Sequence, residues 1–201
     1  MDEIDEFILK EYESAQKLTY HVDEMRSKLT QFFIALSGVA FAAISALLNK
    51  DIDPLLFDAP RWMVASFITF GCAVLGSLFV LIIAKLRRTQ IEHFHITNNI
   101  REYFLEKSDK ADELWRVVAL SHETIPKPTR SSGSYYWVLL IIILTSLFFA
   151  IFAYLLSSNL TESGTGKYLC AGLLLISAIL VLDRLYISKA TFVTKTDNCI
   201  S

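Results

Sequence analysis

The chain has 201 residues; 53% are apolar, 12% aromatic and only 20% charged, and the mean hydropathy is positive. That balance excludes a disordered chain, and 7 Gly with 4 Pro exclude collagen-like and low-complexity classes. Three Cys cannot build a disulfide framework, and a net charge of −2 gives no general attraction to nucleic acid.

Residues 1–28 form the first element, a predicted amphipathic helix. Ile8, Ala15, Leu18, Val22, Met25, Leu29 and Phe32 recur at spacings of three, four and seven. The opposite face carries Glu11, Glu13, Asp23 and Glu24. Such a stripe is the seam of a helix pair, with Leu18, Val22 and Met25 as its packing residues. A helix lying on a membrane surface wants Lys and Arg on its polar face. Residues 1–28 hold eight acids against four bases, so packing against protein is the favoured reading. No Gly or Pro interrupts the stripe before the first apolar run, so one long helix is expected.

Four apolar runs follow, at 29–48, 62–84, 136–157 and 168–187. Each matches the roughly 20 residues that a helix needs to cross a bilayer. The first three hold no charged residue, and the fourth holds only Asp183 and Arg184. Aromatic residues mark the ends, among them Trp62, Tyr136, Trp137, Tyr154, Tyr168 and Tyr186. The expected fold class is therefore all-α, a polytopic membrane protein with four transmembrane helices and cytoplasmic helical extensions. Its parts are the helix at 1–28, a transmembrane hairpin at 29–84, a helical region and linker at 85–135, a second hairpin at 136–187 and a tail at 188–201. Within 85–135 the second membrane helix should continue to Leu105. Ser108 or Asp109 should cap a shorter helix over 111–121, and a linker should fill 124–134.

An even number of crossings puts both termini on one side. That side then holds sixteen Lys and Arg against three on the other. By the positive-inside rule it is the cytoplasm, and the bacterial inner membrane is the expected location. The first half of the 85–135 loop is basic and could touch anionic lipid headgroups. Its second half is acidic and could dock on a soluble protein.

Small residues lie along the first two spans: Ala35, Gly38, Ala42 and Ser45 on one, Ala65, Thr69, Cys72, Ala73 and Gly76 on the other. Small side chains let membrane helices approach closely. These two helices are expected at the centre, and the third, rich in Leu, Ile and Phe, outside against lipid. The small residues serve internal packing or an oligomer seam. Asp183 and Arg184 are the interface charges. Asp183 could pair with Arg87 or Arg88 as an anchor, or form part of a gate.

Arg88 and His93 enclose four residues, a spacing that resembles the motif of HEPN-type ribonucleases, where Arg and His act on RNA. The resemblance implies Arg88 and His93 as catalytic candidates. The competing reading is a basic cluster that follows the positive-inside rule. His21, His93, His95 and His122 form no pair at metal spacing, so no metal site is expected and no cofactor is implied. No phosphate loop or Ser-His-Asp set is visible, and enzyme activity is not expected.

The stretch from Tyr12 to Leu36 runs YESAQKLTYHVDEMRSKLTQFFIAL. It resembles the entry of small bacterial multi-span proteins, the RipA-like octameric family and the membrane accessory proteins of type VI-B CRISPR systems. The resemblance implies a homo-oligomeric membrane sensor, pore or effector in antiphage defence. The alternative is a membrane adaptor that recruits a soluble cytoplasmic partner. Membrane lipids are partners in either case, and direct nucleic-acid binding is not expected.

Overall fold

The computed structural model describes residues 3–49, 60–107, 130, 132–160 and 164–191. They form four helices: α1 (Glu3–Leu48), α2 (Arg61–Glu106), α3 (Gly133–Leu160) and α4 (Gly164–Ala190). Among the described residues there is no strand. The chain is an all-α integral membrane protein, each helix carrying a stretch long and apolar enough to cross a bilayer. The expected helix over 111–121, most of the linker at 124–134 and most of the tail at 188–201 lie outside the described residues.

Helices α1 and α2 each have 46 residues. At 1.5 Å per residue that is about 70 Å, more than twice the ~30 Å hydrocarbon core. Both must therefore project far beyond the membrane. The apolar runs place the projecting parts at the N-terminal end of α1 and the C-terminal end of α2. The two helices pack against each other along their length. Continuity through Arg26 and through Arg87 follows from the sequence, since no Pro falls inside either helix. Pro60 stands at the N-cap of α2, where its fixed φ suits the entry into the helix. With 28 and 27 residues, α3 and α4 have little length beyond the bilayer.

The bundle is arranged differently from the sequence expectation. α3 buries the largest share of its apolar window (44%), then α2 (39%), with α1 (22%) and α4 (17%) outside. Val138, Ile141, Ile142, Thr145, Ser146 and Phe148 of α3 are at most 1% exposed. The placement of the third span toward lipid is thus corrected: α2 and α3 are the centre. Leu144, on the same helix, packs against the core. α4 touches the bundle through Leu182, Asp183, Tyr186 and Ala190, while Leu173, Ile176, Leu180 and Val181 face outward.

Two apolar clusters fill the interior. One joins Phe33, Ile83, Val138, Ile142, Leu182 and Tyr186, at the end where α1 and α2 project. The other joins Ala40, Ile44, Ala73, Phe148 and Leu155, with Phe41 and Phe148 stacked at 4.6 Å. Between them α1, α2 and α3 meet at Gly76. A Cβ there would lie 2.1 Å from Thr145 Oγ1, 2.9 Å from Thr145 Cγ2 and 2.7 Å from Phe33 Cζ. Only hydrogen fits.

The stripe of α1 divides in two. Ala15 and Val22, with Arg26, Thr30, Phe33, Ser37, Ala40 and Ile44, are buried. Leu18 and Met25 are not; they are 41% and 39% exposed on a different face. Ala35, Gly38 and Ala42 are exposed as well, and nothing lies within 4 Å of a Cβ at Gly38. As internal packing residues, Leu18, Met25, Ala35, Gly38 and Ala42 are therefore corrected, while Val22, Ala73 and Gly76 are inside. The physical reason is that the buried seam includes Arg26, Thr30 and Ser37, which apolar periodicity does not register. The two hydroxyls satisfy themselves on the helix: Thr30 Oγ1 donates to Arg26 O at 2.9 Å and Ser37 Oγ to Phe33 O at 2.8 Å.

Candidate functional site: a polar layer at the membrane boundary

Arg26 stands three residues before the first apolar run, and Arg87 three residues after the second. Because α1 and α2 are antiparallel, equal offsets bring the two residues to one level. Both are buried, at 8% and 6% exposure. Arg26 Nη1 donates to Gln90 Oε1 at 3.0 Å, and Arg87 Nη1 donates to the same oxygen at 2.6 Å. Arg26 Nη1 also meets Asp23 Oδ1 at 3.0 Å, but the Asp23 side chain is 57% exposed. The Nε atoms of both arginines are buried and have no hydrogen-bond partner among the described residues. Two cations thus share one neutral acceptor and one largely hydrated carboxylate.

A cavity of about 630 Å³ opens on this pair. Thr30, Gln31, Ser132 and Ser134 add polar groups to its wall, and Ile83, Phe94, Trp137 and Val138 add apolar ones. Ser132 and Ser134 share a 2.9 Å hydrogen bond at the start of α3.

A second cluster lies at the same end of the bundle. Tyr135 Oη donates to Asp183 Oδ1 at 2.5 Å, and Arg130 pairs with Asp183 Oδ2. Asp183 is 6% exposed, so these donors are what make its burial tolerable. The hydrogen bond and the charge of Asp183 push the Arg130 guanidinium above its ordinary range, so it keeps its proton. The partner of Asp183 is Arg130, which corrects the expectation of Arg87 or Arg88. Arg87 is engaged with Gln90, and Arg88 Nε faces Glu92 Oε1 at 3.3 Å one turn on. Arg184 is exposed, so the two neighbouring charges separate, one into the bundle and one out.

Farther from the apolar runs, the projecting parts of α1 and α2 are tied by polar contacts. Arg101 Nη2 donates to Tyr12 Oη at 3.0 Å and sits 5.6 Å from the ring centre. Lys107 Nζ meets both oxygens of Asp5 at 2.8 Å. These pairs span 89 and 102 residues of sequence and fix the register of the hairpin.

Arg88 and His93 are not brought together. Five residues on a helix turn through about 140° from each other. Arg88 is exposed, whereas the Nδ1 of His93 is buried without a partner among the described residues. The geometry gives the ribonuclease-like spacing no shared catalytic point. Sequence reasoning missed Arg26, Gln90, Arg130 and Tyr135; the signal available was the matched offset of Arg26 and Arg87 from consecutive spans.

No protein-family model, no curated protein and no solved structure matches the chain. Fold and site together define a four-span integral membrane protein with an antiparallel pair of helix extensions beyond the membrane and a buried arginine layer at their base.

Proposed function

We propose that the protein is a homo-oligomeric membrane sensor or effector subunit, operated through the helical hairpin that α1 and α2 extend into the cytoplasm. The observation that carries this reading is the outer face of α1. Ile4, Leu18, Met25, Phe32 and Val39 are exposed by 65, 41, 39, 59 and 69%. They follow one heptad position, whose remaining members in α1 are Glu11 and Ala46. Lipid covers the members within the bilayer. Ile4, Phe7 and Leu18 stand outside the apolar run and face water in a single chain, which favours a protein neighbour. The exposed small residues Ala35, Gly38 and Ala42 continue the approach surface inside the membrane.

Sensing and effect are linked in this reading by unbroken helix. A force or ligand at the hairpin moves α1 and α2 as rods, since neither helix has a hinge between hairpin and membrane. A pore in this reading lies between copies, because Phe33, Ile141 and Phe148 fill the centre of one chain. The role in antiphage defence at a bacterial inner membrane is proposed on the resemblance of residues 12–36.

The test is cysteine cross-linking in membranes, on a background without Cys72, Cys170 and Cys199. Leu18→Cys and Met25→Cys should give dimers on oxidation, and Ala15→Cys and Val22→Cys, which face α2, should not. Equal cross-linking at all four positions would contradict the assignment. The orientation has its own check. Engineered cysteines at 50–60 and 158–166 should react with an impermeant reagent added to intact cells, and those at 105–125 should not.

An adaptor for a soluble protein is the second reading, favoured by the exposed acids Glu11, Glu13, Asp23 and Glu24 on α1. Absence of inter-copy cross-links at Leu18 and Met25 would move the assignment to it.

A further inference from the structure

We propose that the cavity beside Arg26 and Arg87 binds a phosphate group. The inference is independent of the oligomer reading, because every group it uses belongs to one chain. Charge is the first argument. The wall presents two buried guanidiniums and one carboxylate, that of Asp23, which is mostly in water. An anion completes the balance. Hydrogen-bonding capacity is the second. Both buried Nε–H groups lack an acceptor among the described residues, and each buried donor left unmet is costly. A phosphate has enough oxygen atoms to accept from both guanidiniums once their forks turn toward the cavity, and Arg is the residue whose planar fork suits it. Ser132 and Ser134 share one hydrogen bond, so one of their two hydroxyl hydrogens is left as a further donor along the wall.

Location and shape are the third argument. The arginines flank the ends of two apolar runs, at the headgroup level, and Trp137 beside them is an interfacial aromatic. The wall combines these polar groups with the apolar side chains of Ile83, Phe94, Trp137 and Val138. This suits a phosphate that carries an apolar body, as the headgroup of an anionic phospholipid does. A free phosphate has the same chemistry, so the experiment separates the two sources.

The decisive variant is Gln90→Glu. It sets a carboxylate where both guanidiniums already converge, at 3.0 and 2.6 Å. The fold is expected to hold, since the new charge is paired twice, but the site loses its positive balance. The full-length protein is purified in detergent and offered phosphatidylglycerol or phosphatidylcholine, with bound lipid read by native mass spectrometry. Inorganic phosphate is offered separately, with thermal aggregation as the readout. Wild type should retain phosphatidylglycerol over phosphatidylcholine. Gln90→Glu and Arg26→Gln with Arg87→Gln should weaken that retention on the order of tenfold or more, the scale of hydrogen bonds to charged groups. Arg88→Gln, an exposed neighbour, should retain lipid as wild type does. Stabilisation by inorganic phosphate in wild type and not in Gln90→Glu, without lipid retention, would support the site and assign it a soluble ligand. Binding that is unchanged in a folded Gln90→Glu protein, or absent for both probes in wild type, would overturn the proposal.

Discussion

Gly76→Leu should collapse the stability of the bundle, whereas Gly38→Leu should leave a single chain as stable as wild type. At Gly76 even the first carbon of a side chain meets both branches of Thr145 and the ring tip of Phe33. Rotating Thr145 exchanges one branch for the other and does not clear the space. Phe33 cannot retreat, because it is fully buried and its ring lies 5.4 Å from that of Phe79. Overpacking of a tight contact costs about 1–3 kcal/mol, and leucine adds three carbons beyond the clash, so the upper end is expected. Gly38 has open space instead. Thermal aggregation of both variants in one detergent checks this. Thr145→Ala in the Gly76→Ala background should recover part of the loss, since it removes two of the three obstructing atoms.

Phe33→Ala should be nearly as damaging by the opposite route. Its ring bridges α1 to the α2–α3 core, touching the cluster of Val80, Ile83 and Ile142. Removing a buried Phe ring costs about 3–5 kcal/mol in soluble cores. Inside a bilayer the hydrophobic part of that cost shrinks, because lipid is as apolar as the core, but the lost packing remains. The change should therefore release α1 from the bundle more than it unfolds any helix. Loss of melting temperature with helical content kept, measured by circular dichroism, is the expected signature. Phe32→Ala, next door but 59% exposed, should differ little from wild type.

Helix number and helix continuity were legible because they rest on local chemistry. A run without Gly or Pro from 3 to 37, with apolar residues on a helical period, can only be one helix into the membrane. The continuation of α2 to Glu106 follows from the same rule. The order of the helices in the bundle was not legible. In a soluble protein the most apolar helix is the most buried, but in a membrane Leu, Ile and Phe are equally at home against lipid and against protein. α3 therefore looked like an outer helix. Its buried Thr145 and Ser146 were the better signal, since small polar residues within a span avoid lipid. Small residues misled in the other direction at Ala35, Gly38 and Ala42, which lie on the open face of α1. The arginine layer hid for a related reason: Arg26 and Arg87 look like ordinary flanking charges until antiparallel packing sets them on one acceptor.

The measurement that bears most directly on the central claim is the mass of the assembly in lipid nanodiscs, for wild type and for Leu18→Asp with Met25→Asp. Both positions are exposed in a single chain, so the substitutions leave its fold and melting temperature intact. The account predicts wild type at a multiple of the chain mass and the double variant at the mass of one chain. A monomeric wild type, or a double variant that keeps the wild-type mass, would contradict it.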